Sequence, residues 1–210
     1  MNKSEGGVKR GMLDFEKAKK ALLVRRAQQG DADAFEQLVT PYEQKIYALC
    51  LRMMAHREDA QDAAQEAMLR LYRSMSSFRG DADFGTFVYR VTTNVCMDAL
   101  RKQQVRAGES LDALYDEGFS PKDDTPGPEE ALMQAEEKER LSQAIDQLSE
   151  EMRLPLVLRE IHELSYEEVA QTLGIGMGTV KSRIYRAREK LARLLASGEN
   201  AGEKERRHDR

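Results

Sequence analysis

The chain has no tryptophan, two cysteines and three histidines in 210 residues. Cys50 and Cys96 stand among apolar residues and form no Cys-x-x-Cys pair, so they read as small hydrophobes in a reducing compartment. His56, His162 and His208 are scattered, which removes zinc-ligand spacing. No Ser/His/Asp set or phosphate-binding glycine loop is present, and isolated carboxylates such as Glu160 and Glu163 read as surface charges. No apolar run approaches the roughly 18 residues of a membrane span. The polar start, Met1 to Arg10, lacks the apolar stretch of a signal peptide. These absences predict a cytoplasmic protein with no membrane insertion, no catalytic residues, no metal and no cofactor.

Strand-like alternation is also missing, so the expected class is all-α. Aromatics are 6% and charged residues 33% of the chain, a balance that suits small helical domains with modest cores. The net charge of −4 argues weakly against a nucleic-acid partner. What matters for such a partner, however, is where the basic residues sit.

Composition divides the chain into three zones: helical from 15 to 104, broken from 105 to 129, helical again from 130 to 196. In the first zone, Asp31 to Ala34 reads as a turn into a helix carrying Phe35, Leu38 and Val39. Pro41 opens another helix, with Ile46, Leu49, Cys50 and Met53 inward. From Glu58 to Met75, Ala60, Ala63, Ala64, Ala67, Met68 and Leu71 form one apolar stripe. A Gly/Asp-rich loop spans Ser77 to Gly85 and a last helix runs from about Thr86 to Gln104. The middle zone gathers Gly108, Gly118, Pro121, Pro126, Gly127 and Pro128 with Asp112, Asp116, Glu117, Asp123 and Asp124. Such a segment buries too little to offset chain entropy and reads as a flexible acidic linker. The expected architecture is two small helical domains joined by that linker. The tails, Met1–Met12 and Ser197–Arg210, carry no functional signal.

The strongest motif is a helix-turn-helix in the last zone. Ser165-Tyr166-Glu167-Glu168 fits a capping box, in which the serine oxygen accepts a backbone N–H and Glu168 reaches back. A short helix with Val169, Ala170 and Leu173 inward ends at Gly174-Ile175-Gly176, where glycine admits positive φ. The next helix puts Val180, Ile184, Ala187, Leu191 and Leu195 on one face. From Met177 to Leu195 it carries six cations against one anion, a net +5. That pattern fits a recognition helix in a major groove, its basic side chains meeting guanine edges and phosphates. The plainer alternative is a solvated amphipathic helix whose cations favour its C-terminal end.

In the first domain, Phe78, Phe84, Phe87 and Tyr89 crowd beside Arg79, Arg90, Asn94, Arg101 and Lys102. Aromatic faces stack unpaired bases and neighbouring cations hold a backbone. The alternative places Phe84 and Phe87 in the core and leaves the arginines as a wet face.

Four stretches together resemble the extracytoplasmic-function (ECF) group of sigma factors, the promoter-recognition subunits of bacterial RNA polymerase. They are Gly30–Phe35, Glu58–Glu66, Ser77–Gly80 through Phe87–Val91 to Asn94, and Leu164–Ala170 through Gly178–Ile184. The resemblance implies that residues 15–104 are region two and 130–196 region four. It implies that Asp62, Gln65 and Glu66 dock on the clamp coiled coil of core RNA polymerase. The Phe78–Thr86 loop would capture a base flipped from the −10 element of promoter DNA, at a cost in stacking that a fitted pocket offsets. Arg79, Phe87, Arg90, Asn94, Arg101 and Lys102 are the expected −10 contacts beside Phe78. Thr179, Lys181, Ser182, Arg183, Tyr185 and Arg186 match positions that read the −35 duplex. Family members commonly carry tryptophan where Phe87 stands, and phenylalanine offers less stacking area. Members are often held inactive by an anti-sigma factor, which adds a third expected partner. The acidic connector would thread toward the RNA path and mimic its charge.

Three other readings are separable. A ligand-sensing helix-turn-helix regulator needs a sensor domain, and no βα alternation suggests one; it would also bind DNA without polymerase. An enzyme needs a catalytic constellation. A purely protein-binding adaptor leaves the cationic helix without a role.

Overall fold

The computed structural model describes residues 4–54, 56–80, 82–107 and 128–208. The expected acidic linker falls almost wholly outside the described residues. Among those described there are nine α-helices and no strand.

Helices α1 (Ser4–Gln28), α2 (Ala32–Val39), α3 (Glu43–Met53), α4 (Arg57–Ser74) and α5 (Phe84–Ala107) form the first unit. Gly30, at φ +90°, turns the chain out of α1. Asp31 then caps α2, its Oδ1 accepting from the Ala34 amide at 3.0 Å. That bond, with Arg26 beside it, holds the Asp31 carboxyl below its ordinary range. Phe35, Leu38 and Val39 are buried as the periodicity predicts. A 3-10 turn, Thr40–Tyr42, carries Pro41 and leads into α3. Ala60, Ala63, Ala67 and Leu71 line the inner face of α4, which packs on α3 and α5. Small residues there let the backbones approach closely. Cys50 and Cys96 are buried at the meeting of α3 and α5, their sulfurs 3.7 Å apart, and burial beside each other pushes the Cys96 thiol far up.

Helices α6 (Pro128–Asp146), α7 (Glu150–Glu160), α8 (Tyr166–Leu173) and α9 (Met177–His208) form the second unit. Leu148, Leu154, Val157, Leu158, Val169, Val180, Ile184 and Ala187 are its buried centre.

Three helix boundaries differ from the sequence expectation. α5 begins at Phe84, because Asp83 Oδ2 accepts from the Gly85 amide at 2.8 Å and starts the helix inside the presumed loop. α1 reaches back to Ser4 and α9 runs on to His208, into segments read as tails. Both extensions continue helices already nucleated, where each added residue gains a backbone bond, although Gly6, Gly7 and Gly11 in α1 and Gly198 and Gly202 in α9 each weaken them.

The two units are also packed together, which no sequence pattern announced. α5 lies against α8 and α3 against α7. Arg52 Nη1 donates to Ser142 Oγ at 2.8 Å across the junction. Tyr89 Oη lies 3.4 Å from His162 Nδ1, with the rings 5.1 Å apart. Tyr42, Lys45, Asp83, Glu163 and Glu168 line a cleft of about 170 Å³ beside them. Burial, aided by Lys45, pulls His162 from 6.5 down to about 4. A docked His162 therefore resists the proton that a released one takes near 6.5. Docking is expected to be fully present above pH 6.5 and to weaken as pH falls toward 4. Small-angle scattering at pH 8 and pH 5 checks this: the radius of gyration should grow at pH 5, and His162→Gln should blunt the growth. An identical radius at both values contradicts it.

Candidate nucleic-acid interface

The capping box forms as the sequence predicts. Ser165 Oγ accepts from the Glu168 amide at 3.2 Å, and the Glu168 carboxylate accepts from the Ser165 amide at 2.7 Å. Gly174 closes α8 at φ +64°, a conformation that costs a side chain roughly 1 kcal/mol or more. The turn delivers α9 with Val180, Ile184 and Ala187 inward and Thr179, Lys181, Ser182, Tyr185 and Arg186 outward. Tyr185 is 63% exposed, its hydroxyl donating to Glu189 Oε1 at 3.1 Å. Lys181 Nζ stands 5.8 Å from the centre of the Tyr166 ring, whose position Arg159 also supports at 5.0 Å.

Several cations of the stretch from Met177 to Leu195 are engaged within the second unit. Arg183 is half-buried and bridges Glu151 at 3.2 Å. Arg188 pairs with Glu160, and Lys190 donates to the Gln147 carbonyl at 2.7 Å. The outward charge on the first turns of α9 thus comes down to Lys181 and Arg186. Arg183, expected among the duplex contacts, lies at the edge of that face and braces α9 against α7.

On α5, Arg90, Asn94, Arg101 and Lys102 are all exposed and follow one another at helical spacing. Asp98 falls within the same stripe but is engaged by Arg70 at 2.8 Å and by Arg101 at 3.5 Å. Arg90 lies 5.8 Å from the Phe87 ring centre, and Arg79 is exposed on the loop.

The aromatics divide differently from the base-stacking expectation. Phe78 and Phe87 are only 8% and 4% exposed. Their ring centres are 4.8 Å apart, and Phe84 closes the cluster at 5.8 Å from Phe78. Edge and tilted ring packing of this kind is favourable in itself and explains their burial. Both rings face protein, leaving the polar residues as the outward part of the set.

A third face lies on the outer side of α4. Asp62 and Gln65 are exposed, while Glu66 is half-buried and bridges Arg70 at 2.7 Å. Leu69 and Tyr72, 50% and 47% exposed, continue the same stripe one and two turns on. The sequence pattern does not announce them: both fall off the inner stripe of Ala60, Ala63, Ala64, Ala67, Met68 and Leu71, and an apolar residue off such a stripe carries no local signal.

Matches to known families fall on these same two units. Residues 38–106 match the model of Sigma-70 region 2, and residues 138–191 that of Sigma-70 region 4. The chain is 40% identical over 177 residues to the RNA polymerase sigma-H factor of Pseudomonas aeruginosa, covering 82% of this chain and 92% of that one. It is 36% identical over 176 residues to the ECF RNA polymerase sigma factor SigW of Bacillus subtilis, covering 82% and 94%. Its fold resembles the sigma factor RpoE solved with the anti-sigma factor NepR from Bartonella quintana. The TM-score is 0.66 at 21% identity, over 77% of this chain and 96% of that one.

Proposed function

Because the chain belongs to the extracytoplasmic-function group of sigma factors, we propose that its three outward helix faces divide the work of starting transcription. As a sigma factor it binds core RNA polymerase, recognises the −35 and −10 promoter elements and promotes melting. Sigma factors are non-enzymatic initiation factors, and we assign this chain no chemistry of its own. It acts where the polymerase is, in the cytoplasm; no described helix is long and apolar enough to cross a membrane.

Region four, residues 130–196, lays α9 in the major groove of the −35 duplex. Lys181 and Arg186 reach base edges or phosphates, with Thr179, Ser182 and Tyr185 between them. Arg183 acts one step back, keeping the helix at its angle. The observation that carries this reading is the capped helix, glycine turn and outward polar face that coincide in one place. Region two, residues 15–104, presents Arg79, Arg90, Asn94, Arg101 and Lys102 to the displaced −10 strand. Phe78 and Phe87 shape the loop from beneath. The Asp62, Gln65 and Glu66 face, extended by Leu69 and Tyr72, meets core polymerase. An anti-sigma protein is a further partner, as NepR is for its sigma factor.

The division is testable on a single promoter. Asn94→Ala should weaken transcription by about 1–3 kcal/mol equivalents, relax preference at one −10 position and leave −35 preference intact. Run-off transcription on −10 and −35 base-substituted templates reads this. Equal loss at both elements would refute the assignment.

A further inference from the structure

The loop between Phe78 and Phe84 is held at both ends by α1, a helix wholly upstream of the region-two match. At the loop's entry, Gln28 Nε2 donates to the Phe78 carbonyl at 2.6 Å. At its exit, Lys20 Nζ donates to both Asp83 carboxylate oxygens, at 2.9 and 3.2 Å. The same ammonium stands 6.0 Å from the Phe84 ring centre. Lys20 and Gln28 lie two turns apart on α1, about 12 Å at the helical rise. One helix face thus spans the loop and grips it at two points.

The exit grip is a partly exposed pair, the Lys20 and Asp83 side chains being 38% and 60% exposed, that joins three elements. Asp83 Oδ2 also accepts from the Gly85 amide at 2.8 Å, so one carboxylate ties α1, the loop and the start of α5 together. Burial alone would raise the Asp83 carboxyl, but the bonds from Lys20 and the Gly85 amide hold it below its ordinary range. Burial would likewise lower Lys20, yet Asp83 and the neighbouring Tyr42 keep it raised. Gly85 leaves room for the arrangement. A Cβ there would stand 3.1 Å from Asp83 Oδ2 and 3.2 Å from Tyr42 Oη, closer than side chains ordinarily come.

We propose that Lys20 and Gln28 are positioning residues for −10 recognition: α1 fixes the two ends of the Phe78–Phe84 loop through two side chains that never meet a base. The proposal rests on the reading of that loop as the −10 site. Its physical basis is preorganisation. A loop already ordered spares the incoming strand the entropy of ordering it. The two bonds sit at the loop's ends, at Phe78 and Asp83.

The test uses the full chain assembled with core polymerase. The first probe is a fluorescent single-stranded oligonucleotide carrying the −10 sequence of a promoter the wild type uses. The second is a −35 duplex. Lys20→Met combined with Gln28→Leu should weaken the oligonucleotide about tenfold, the scale of losing one exposed charge-assisted hydrogen bond and one neutral one. Affinity for the −35 duplex and for core polymerase should not move. Amide hydrogen exchange should quicken in the loop while α3 and α4 hold their protection. Lys20→Arg alone should keep most of the binding, because it keeps the charge and the donors. Unchanged oligonucleotide affinity in the double variant overturns the proposal. So does a parallel fall of all three affinities, which marks a general loss of fold. A wild type that shows no −10 sequence preference overturns the loop reading itself. A wild type with that preference and a double variant of unchanged affinity overturns only the role of α1.

Discussion

Alanine at both Lys181 and Arg186 is expected to weaken −35 duplex binding by about 2–6 kcal/mol, or at least roughly 30-fold. The size follows from how few outward cations α9 keeps. Arg183, Arg188 and Lys190 are committed to Glu151, Glu160 and the Gln147 carbonyl, so they compensate poorly for the loss. The two side chains act on separate turns, and their effects should be nearly additive. Salt titration sorts them: a phosphate contact lowers the salt slope by about 1, whereas a base contact relaxes preference at one position. Arg183→Ala should behave otherwise, costing stability of the second unit and changing no base preference. A double variant that binds the duplex like the wild type would remove α9 from the groove.

The second large effect is in the core. Leu71→Ala should cost about 2–5 kcal/mol, the range for a fully buried leucine whose cavity does not collapse. Leu71 has no exposed surface and lies on the alanine stripe where α4 meets α3 and α5. Against a total stability of about 5–15 kcal/mol for a domain, that is a substantial share. The damage should reach two functions at once. α4 carries the proposed polymerase face, while Arg70 on it holds Asp98 within the strand-facing stripe of α5. Urea unfolding gives the cost, and core association and −10 binding should fall with it while −35 binding falls less. A cost under about 1 kcal/mol would mean that α4 does not bury this face.

These expectations draw unequally on sequence and structure. The capping box at Ser165 and Glu168 was readable because both partners lie within four residues and each geometry has one obvious chemistry. The Gly174 turn and the alanine stripe of α4 were readable for the same reason: local spacing dictates local structure. Phe78 and Phe87 were not. An aromatic beside a glycine loop has the same pattern whether it stacks on a base or on another ring, so the sequence carried both readings, and the ring contacts among Phe78, Phe84 and Phe87 come from the fold. The charge of α9 was counted correctly but not its availability, since Glu151 and Glu160 lie on another helix. Lys20 with Asp83, Gln28 with Phe78 and Tyr89 with His162 are separated by 63, 50 and 73 residues. No periodicity in a single chain links positions so far apart. The packing of the two units against each other was hidden for the same reason.

The family placement and the face assignments meet in one assay: run-off transcription by purified core polymerase, with and without this chain, on a genomic template library. Added chain should form a stable complex with the core and produce discrete new start sites, each preceded by a shared pair of elements. Failure to associate, with no start site on any template, would contradict the account at its root.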